Sequence, residues 1–154
     1  NTIFVITNDH TNMREHEEYK SDIGIFYGPV VIFDPSGGIP AGEREGIAQQ
    51  TDIMPTMVNY LGYGKDYVAF GCDLFSTPQD KTWAVSCLNG VYQYVEGNRI
   101  LQFDGTKTVG LYNIDDHRMR HNLLGKEDPS AMVSRLKAII QQYMNRMLDD
   151  RLAL

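Results

Sequence analysis

Asp9 and His10 stand side by side where the apolar run Thr2-Ile3-Phe4-Val5-Ile6-Thr7 gives way to polar residues. A hard carboxylate oxygen beside an imidazole nitrogen is a donor pair for Mn²⁺, Zn²⁺ or Mg²⁺ at a mixed site. Adjacent residues of a regular strand point to opposite faces, so both can reach one ion only if the chain leaves the strand near Asn8. Ligands gather at the carboxyl ends of strands in open α/β sheets, which makes the end of this run the place to expect such a site. Other residue types draw less. His16, in Glu15-His16-Glu17-Glu18, could meet a substrate oxyanion or a second metal, or belong to a solvated acidic loop. Asp115, Asp116, His117, Arg118 and His121 have ligand-like spacing but fall in a charged connector. Ser130 and Ser134 have no base at a suitable distance in sequence, and Gly37-Gly38 lacks the Gly-Lys-Ser/Thr of a phosphate loop.

The elements that must position Asp9 and His10 can be read from periodicity. The opening run is apolar and β-branched without alternation, the pattern of a buried strand in a parallel sheet. It begins with neither an initiator Met nor a turn, as in a fragment of a larger enzyme. A second run, Pro29-Val30-Val31-Ile32-Phe33, ends at the turn residues Asp34 to Gly38. Ile53, Met54, Met57, Val58 and Leu61 recur at helical spacing, with Thr51 or Asp52 as cap, Pro55 in the first turn and Gly62 as stop. Residues 63–80 read as a connector packed on the body.

From Thr82 to Ile114, four β-rich runs are punctuated by Asn89-Gly90, Gly97-Asn98 and Asp104-Gly105, three tight-hairpin signals. Two-residue loops at the first two put Trp83, Val85, Cys87, Tyr92, Tyr94, Leu101 and Phe103 on one face, toward a core. Ser86, Gln93 and Gln102 then lie on the other. For the third turn, a three-residue loop with a bulge is preferred, because it brings Leu111 and Val109 to the core face. Asp128-Pro129 opens a final helix whose stripe of Val133, Leu136, Ile140, Tyr143, Met144, Met147 and Leu148 should cover that face. The fold class expected is α/β to α+β. Residues 1–80 would supply part of an α/β domain with its connector, and residues 81–154 an antiparallel four-stranded sheet with a helix.

The whole-chain numbers exclude some functions. A net charge of −6 with no Lys/Arg run in the sequence argues against a nucleic-acid surface. With 42% hydrophobic and 22% charged residues the 154-residue chain can build a core. Cys72 and Cys87 fit either a disulfide or two small thiols.

Two segments carry a family resemblance. Asn1-Thr-Ile-Phe-Val-Ile-Thr-Asn-Asp-His10-Thr resembles the "TADH" segment of the sulfatase and phosphoglycerol transferase branch of the alkaline phosphatase superfamily, with the lipoteichoic acid synthase type nearest. Gly46-Ile-Ala-Gln-Gln-Thr-Asp-Ile-Met-Pro55-Thr-Met-Val-Asn-Tyr-Leu-Gly-Tyr resembles that family's "QQ-D-I-MPT…LGY" helix, and the "PVVIF" strand lies between the two. The likeness covers residues 1 to about 76 and is looser from 81 on. It implies an alkaline-phosphatase-like sheet and metal-ligand roles for Asp9 and His10. It also implies an upstream nucleophile (threonine, or a modified Cys or Ser) with one or two further acidic ligands outside this chain. The cofactor implied is a divalent ion, Mn²⁺ first, with Mg²⁺, Zn²⁺ or Ca²⁺ as alternatives. The implied substrate is a lipid- or glycan-linked phosphoester or sulfate ester, handled outside the cytoplasm by a membrane-anchored parent. The isolated chain would be inactive. Asn8 replaces a usual small residue and Thr11 a frequent glycine, so the substrate class stays open. A reading of another class is a non-catalytic packing or interaction domain that self-associates through strand edges at 2–7 and 29–33.

Overall fold

The computed structural model describes residues 2–11 and 13–152. Asn1 and Asn12, which open the first motif and the polar stretch after it, lie outside the described residues. The architecture is mixed α/β: a two-stranded ribbon, a short helix, a four-stranded antiparallel sheet and a long C-terminal helix.

Strands β1 (Phe4–Thr7) and β2 (Val30–Phe33) pair antiparallel, Phe4 opposite Phe33 and Ile6 opposite Val31. The sequence pattern predicts a buried strand of a parallel sheet, and the structure differs on both counts. All four residues of β1 are exposed, as are Val31 and Phe33. Apolar side chains occupy both faces of the ribbon, a composition suited to cover on two sides, but the described residues supply no layer over it and no third strand beside it.

Helix α1 (Ile53–Tyr60) starts and stops at the expected positions, but the Asp52 side chain does not cap it and instead closes the preceding turn Gln50–Asp52. Gln49 N–H donates to Asp52 Oδ2 (2.9 Å), and Pro55 sits where its missing N–H has no helical partner to lose. At the other end Gly62 takes φ 69°, Gly62 N–H bonds the Asn59 carbonyl and Tyr63 N–H bonds that of Val58, the paired bonds of a Schellman stop.

Strands β3 (Trp83–Leu88), β4 (Val91–Glu96), β5 (Arg99–Phe103) and β6 (Thr108–Asn113) form a meander in chain order. Leu88 opposes Val91 and Glu96 opposes Arg99, so the first two turns are the two-residue loops the sequence predicts. Asn89 and Gly90 take φ of 52° and 80°, the positive pair such a loop requires. The third loop is one residue longer than expected, 104–107, closed by Asp104 N–H to the Lys107 carbonyl (3.1 Å). The expected bulge is there: Phe103 pairs with Thr108 but Gln102 with Gly110, leaving Val109 extra and turning Leu111 toward Leu101.

One face of the sheet buries Tyr94, Leu101, Phe103 and Leu111 against Leu136 of helix α2 (Ser130–Leu148). Cys87 shares that face by register but is exposed, on edge strand β3. The lower half of the α2 stripe is also not core: Tyr143, Met144, Met147 and Leu148 are exposed. Length explains it. Nineteen residues of helix run about 28 Å, whereas a six-residue strand runs about 20 Å. Helix α2 outreaches the sheet, and Tyr143 meets Phe70 edge-on, ring centroids 5.3 Å apart.

The second face, expected to carry polar residues away from the core, is covered as well. Ile23 packs with Val95 and Ile100, joined by Tyr27, Ile47, Tyr112 and Met119, and Gln93 is 1% exposed beneath this cover. The covering residues come from either side of residue 80, so one core draws on both halves of the chain. Among the described residues no helix is long and apolar enough to cross a membrane.

Candidate functional site

Strand β1 ends at Thr7, and Asp9 and His10 lie in the bend immediately after it. The departure from extended backbone is what lets neighbouring side chains converge: His10 Nε2 lies 3.5 Å from Asp9 Oδ2. Two further bonds set their orientation. Asp9 Oδ1 accepts the His10 backbone N–H (2.9 Å), and His10 Nδ1 lies 3.1 Å from the Thr11 carbonyl oxygen. A carbonyl only accepts, so the ring proton in that bond is on Nδ1, and in the neutral ring the Nε2 lone pair faces the carboxylate. A backbone carbonyl fixing the tautomer of a histidine is the usual outer support of a metal-binding imidazole.

The donor set fits a divalent ion in type and spacing. With metal–ligand bonds of about 2.1 Å, two ligands at a tetrahedral angle stand about 3.4 Å apart. Among the described residues no group of three or more His, Cys, Asp or Glu side chains could hold an ion, so Asp9 and His10 supply two donors and the rest of a coordination sphere has to come from elsewhere. Both side chains are open to solvent.

The bend is held by residues 25–28, immediately before the "PVVIF" strand, and by Gln50 of the "QQ" segment. Thr11 N–H donates to the Ile25 carbonyl (2.9 Å) and its hydroxyl to that of Tyr27 (3.4 Å). The Asn8 side chain lies against Gly28, where a Cβ would fall 1.6 Å from Asn8 Oδ1, so any larger residue there would push the Asn8 side chain out of its place. Gln50 Nε2 donates to the Asn8 carbonyl at 2.5 Å. The second glutamine of the "QQ" segment thus touches the residue before Asp9. Its neighbour Gln49 reaches the sheet instead, Oε1 accepting Val85 N–H (3.0 Å) on edge strand β3.

Behind the bend, Asp52 is fully buried and accepts Cys72 N–H at 2.7 Å, with burial, the largest influence, pushing its pKa up. Thr56 Oγ1 accepts Leu74 N–H (2.9 Å). These two side chains pin the connector to α1, and neither stands out in the sequence, since cap and helix-interior positions explain them locally. Asp34, after β2, accepts the Tyr60 hydroxyl (2.6 Å), which with Ser36 holds its pKa down to about 2.

The remaining candidates stand apart from this bend. His16 packs edge-on to Tyr19, centroids 6.1 Å apart. Asp116 accepts the His121 N–H (2.7 Å), so its carboxylate shapes its own loop. Cys72 and Cys87 are free thiols, which settles the sequence alternative against a disulfide.

No family model, no curated protein and no solved structure matches the chain. The function rests on the site alone.

Proposed function

We propose that this chain is the C-terminal part of a metal-dependent enzyme that transfers or hydrolyses a phosphoester or sulfate ester, of the phosphoglycerol transferase type, and that Asp9 and His10 are two of its metal ligands. The observation that carries the reading is the convergence of Asp9 Oδ2 and His10 Nε2 to 3.5 Å at the carboxyl end of a strand, with the ring proton held on Nδ1. The contact of Gln50 with Asn8 supports it, because it joins the two segments in which the resemblance resides. The exposed apolar ribbon supports the alkaline-phosphatase-like part of the proposal: further strands and helices of the parent would cover Phe4, Ile6, Val31 and Phe33.

A divalent ion, Mn²⁺ first, would supply Lewis acidity toward an ester oxygen and toward the nucleophile contributed by the parent. This chain holds an anionic oxygen at Asp9 and a neutral nitrogen at His10, and keeps the imidazole tautomer through Thr11. His16, six residues past His10 in sequence, is the proposed contact to the substrate, although no described contact joins it to the bend. The parent would act outside the cytoplasm, anchored to the membrane, on a lipid- or glycan-linked ester. The test uses the parent enzyme with Mn²⁺, offered an aryl phosphodiester and an aryl sulfate. Loss of supporting groups around a metal already costs 10–100-fold, so Asp9→Ala should reduce turnover by more than about 100-fold with the fold retained. Full activity in that variant refutes the assignment.

The same exposed ribbon favours a second reading, a non-catalytic packing domain that self-associates through β1 and β2. Dimerisation abolished by Phe4→Lys, together with no effect of Mn²⁺ on residues 8–11, would select it.

A further inference from the structure

Away from the Asp9–His10 bend, two segments nearly a hundred residues apart in sequence line an open cavity at the surface, of about 360 Å³, with Glu17, Lys20, Ser21, Arg118 and Arg120 in its walls. Its volume lies at the small end of the range for small-molecule sites, roughly 300–1,000 Å³. In a chain with 20 carboxylates against 14 Lys and Arg, this wall holds three cations and one carboxylate.

Both sides of the cavity are anchored on the second face of the sheet. Ile23 carries the segment with Glu17, Lys20 and Ser21, and Met119 carries the loop with the two arginines. Both side chains belong to the cluster around Val95 and Ile100. Met119 takes φ 51°, a left-handed conformation uncommon for a long side chain, in a turn closed by its N–H to the Asp116 carbonyl (2.7 Å). With Met119 drawn into the core, Arg118 and Arg120 flank it in sequence at the cavity. On the opposite wall a Cβ on Gly24 would lie 1.8 Å from the Glu18 carbonyl oxygen, so only glycine allows the tight turn. Within it Ser21 Oγ accepts Gly24 N–H (3.1 Å), which leaves the hydroxyl proton free to donate.

The carboxylate is already matched. Lys20 Nζ lies 2.7 Å from Glu17 Oε1, and Arg118 pairs with Glu17 Oε2. Arg120 forms no ion pair among the described residues. A cavity with net positive charge, an unpaired guanidinium and a free hydroxyl proton offers donors without a matching acceptor. A planar guanidinium fork is complementary to two oxygens of a tetrahedral oxyanion.

We propose that this cavity is an anion-binding site for a phosphate-class group, taken as the free ion or as the phosphomonoester of a small molecule. It is separate from the Asp9–His10 pair and does not rest on that reading.

The test is an NMR titration of the full chain with inorganic phosphate and, in parallel, glycerol 3-phosphate, at fixed ionic strength set by NaCl, following the arginine Nε–Hε signals. Saturable shifts of Arg118 and Arg120 are expected, and the tighter of the two probes identifies the source. Arg120→Gln, at an exposed and unpaired position, should weaken binding at least about tenfold. Glu17→Gln should strengthen it. Shifts that grow linearly without saturation, or equal affinity in Arg120→Gln, overturn the proposal.

Discussion

Replacing Thr56 by Val tests whether the connector is held to α1 by side-chain acceptors or only by apolar contact. Thr56 is fully buried, its Oγ1 donates to the Asp52 carbonyl (2.6 Å) and accepts Leu74 N–H (2.9 Å). Valine keeps the shape and removes the acceptor, so Leu74 N–H is left without a partner in a half-buried position. A buried donor stripped of its acceptor costs about 1–3 kcal/mol. Taking about 2 kcal/mol, and about 2–4 °C per kcal/mol for a chain of this size, Tm should fall by about 4–8 °C. Urea unfolding should show a lower midpoint at unchanged m, since the surface exposed on unfolding is the same. Hydrogen exchange at Leu74 should accelerate, while Cys72 N–H, held by Asp52, should not. Thr56→Ser, which restores the oxygen, should recover most of the loss. A Thr56→Val protein with parental midpoint and parental Leu74 exchange would refute the side-chain clip between α1 and the connector.

Two other perturbations have clear signs. Tyr60→Phe removes the hydroxyl that Asp34 accepts, so its pKa, held at about 2, should rise toward the ordinary value of about 4 in a carbon-detected NMR titration. Because the folded pKa lies below the unfolded one, this contribution to stability is complete above about pH 4 and is lost as pH falls through about 2; the variant should lose less stability over that window. Leu136→Ala, at the centre of the α2 contact and fully buried, should cost about 2–5 kcal/mol in urea unfolding. A cost under 1 kcal/mol would mean that α2 does not hold the sheet.

What the sequence disclosed and what it concealed follow from the range of the signals. Asn89-Gly90 and Gly97-Asn98 fix their loops by local φ preferences, and register then propagates along strands of period two, so the core face from Trp83 to Phe103 follows from a few residues. The cover on the opposite face has no such signature. It is made by Ile23, Ile47 and Met119, which belong to no run with strand or helix periodicity and come from segments distant in sequence. Gln93 therefore looked exposed and is buried. The uncovered end of the α2 stripe has another cause: periodicity reports which side of a helix is apolar, while the strand length beneath it decides how much is covered. At the site, the types and order of Asp9 and His10 were legible, but their convergence depends on a bend held by Thr11, Gly28 and Gln50, and only the fold brings these together. The exposed β1 and β2 faces are the converse case, where residues suited to burial meet no partner among those described.

The central claim is that Asp9 and His10 bind one divalent ion through Oδ2 and Nε2. The most direct measurement is a Mn²⁺ titration of the full chain followed by paramagnetic broadening of assigned NMR signals. Broadening is expected to centre on residues 8–11 and the His10 ring, weak because the described residues bring two donors together there, and to vanish in Asp9→Ala and in His10→Ala. Broadening spread over the acidic surface, or centred on Asp115 and Asp116 and indifferent to both substitutions, would contradict it.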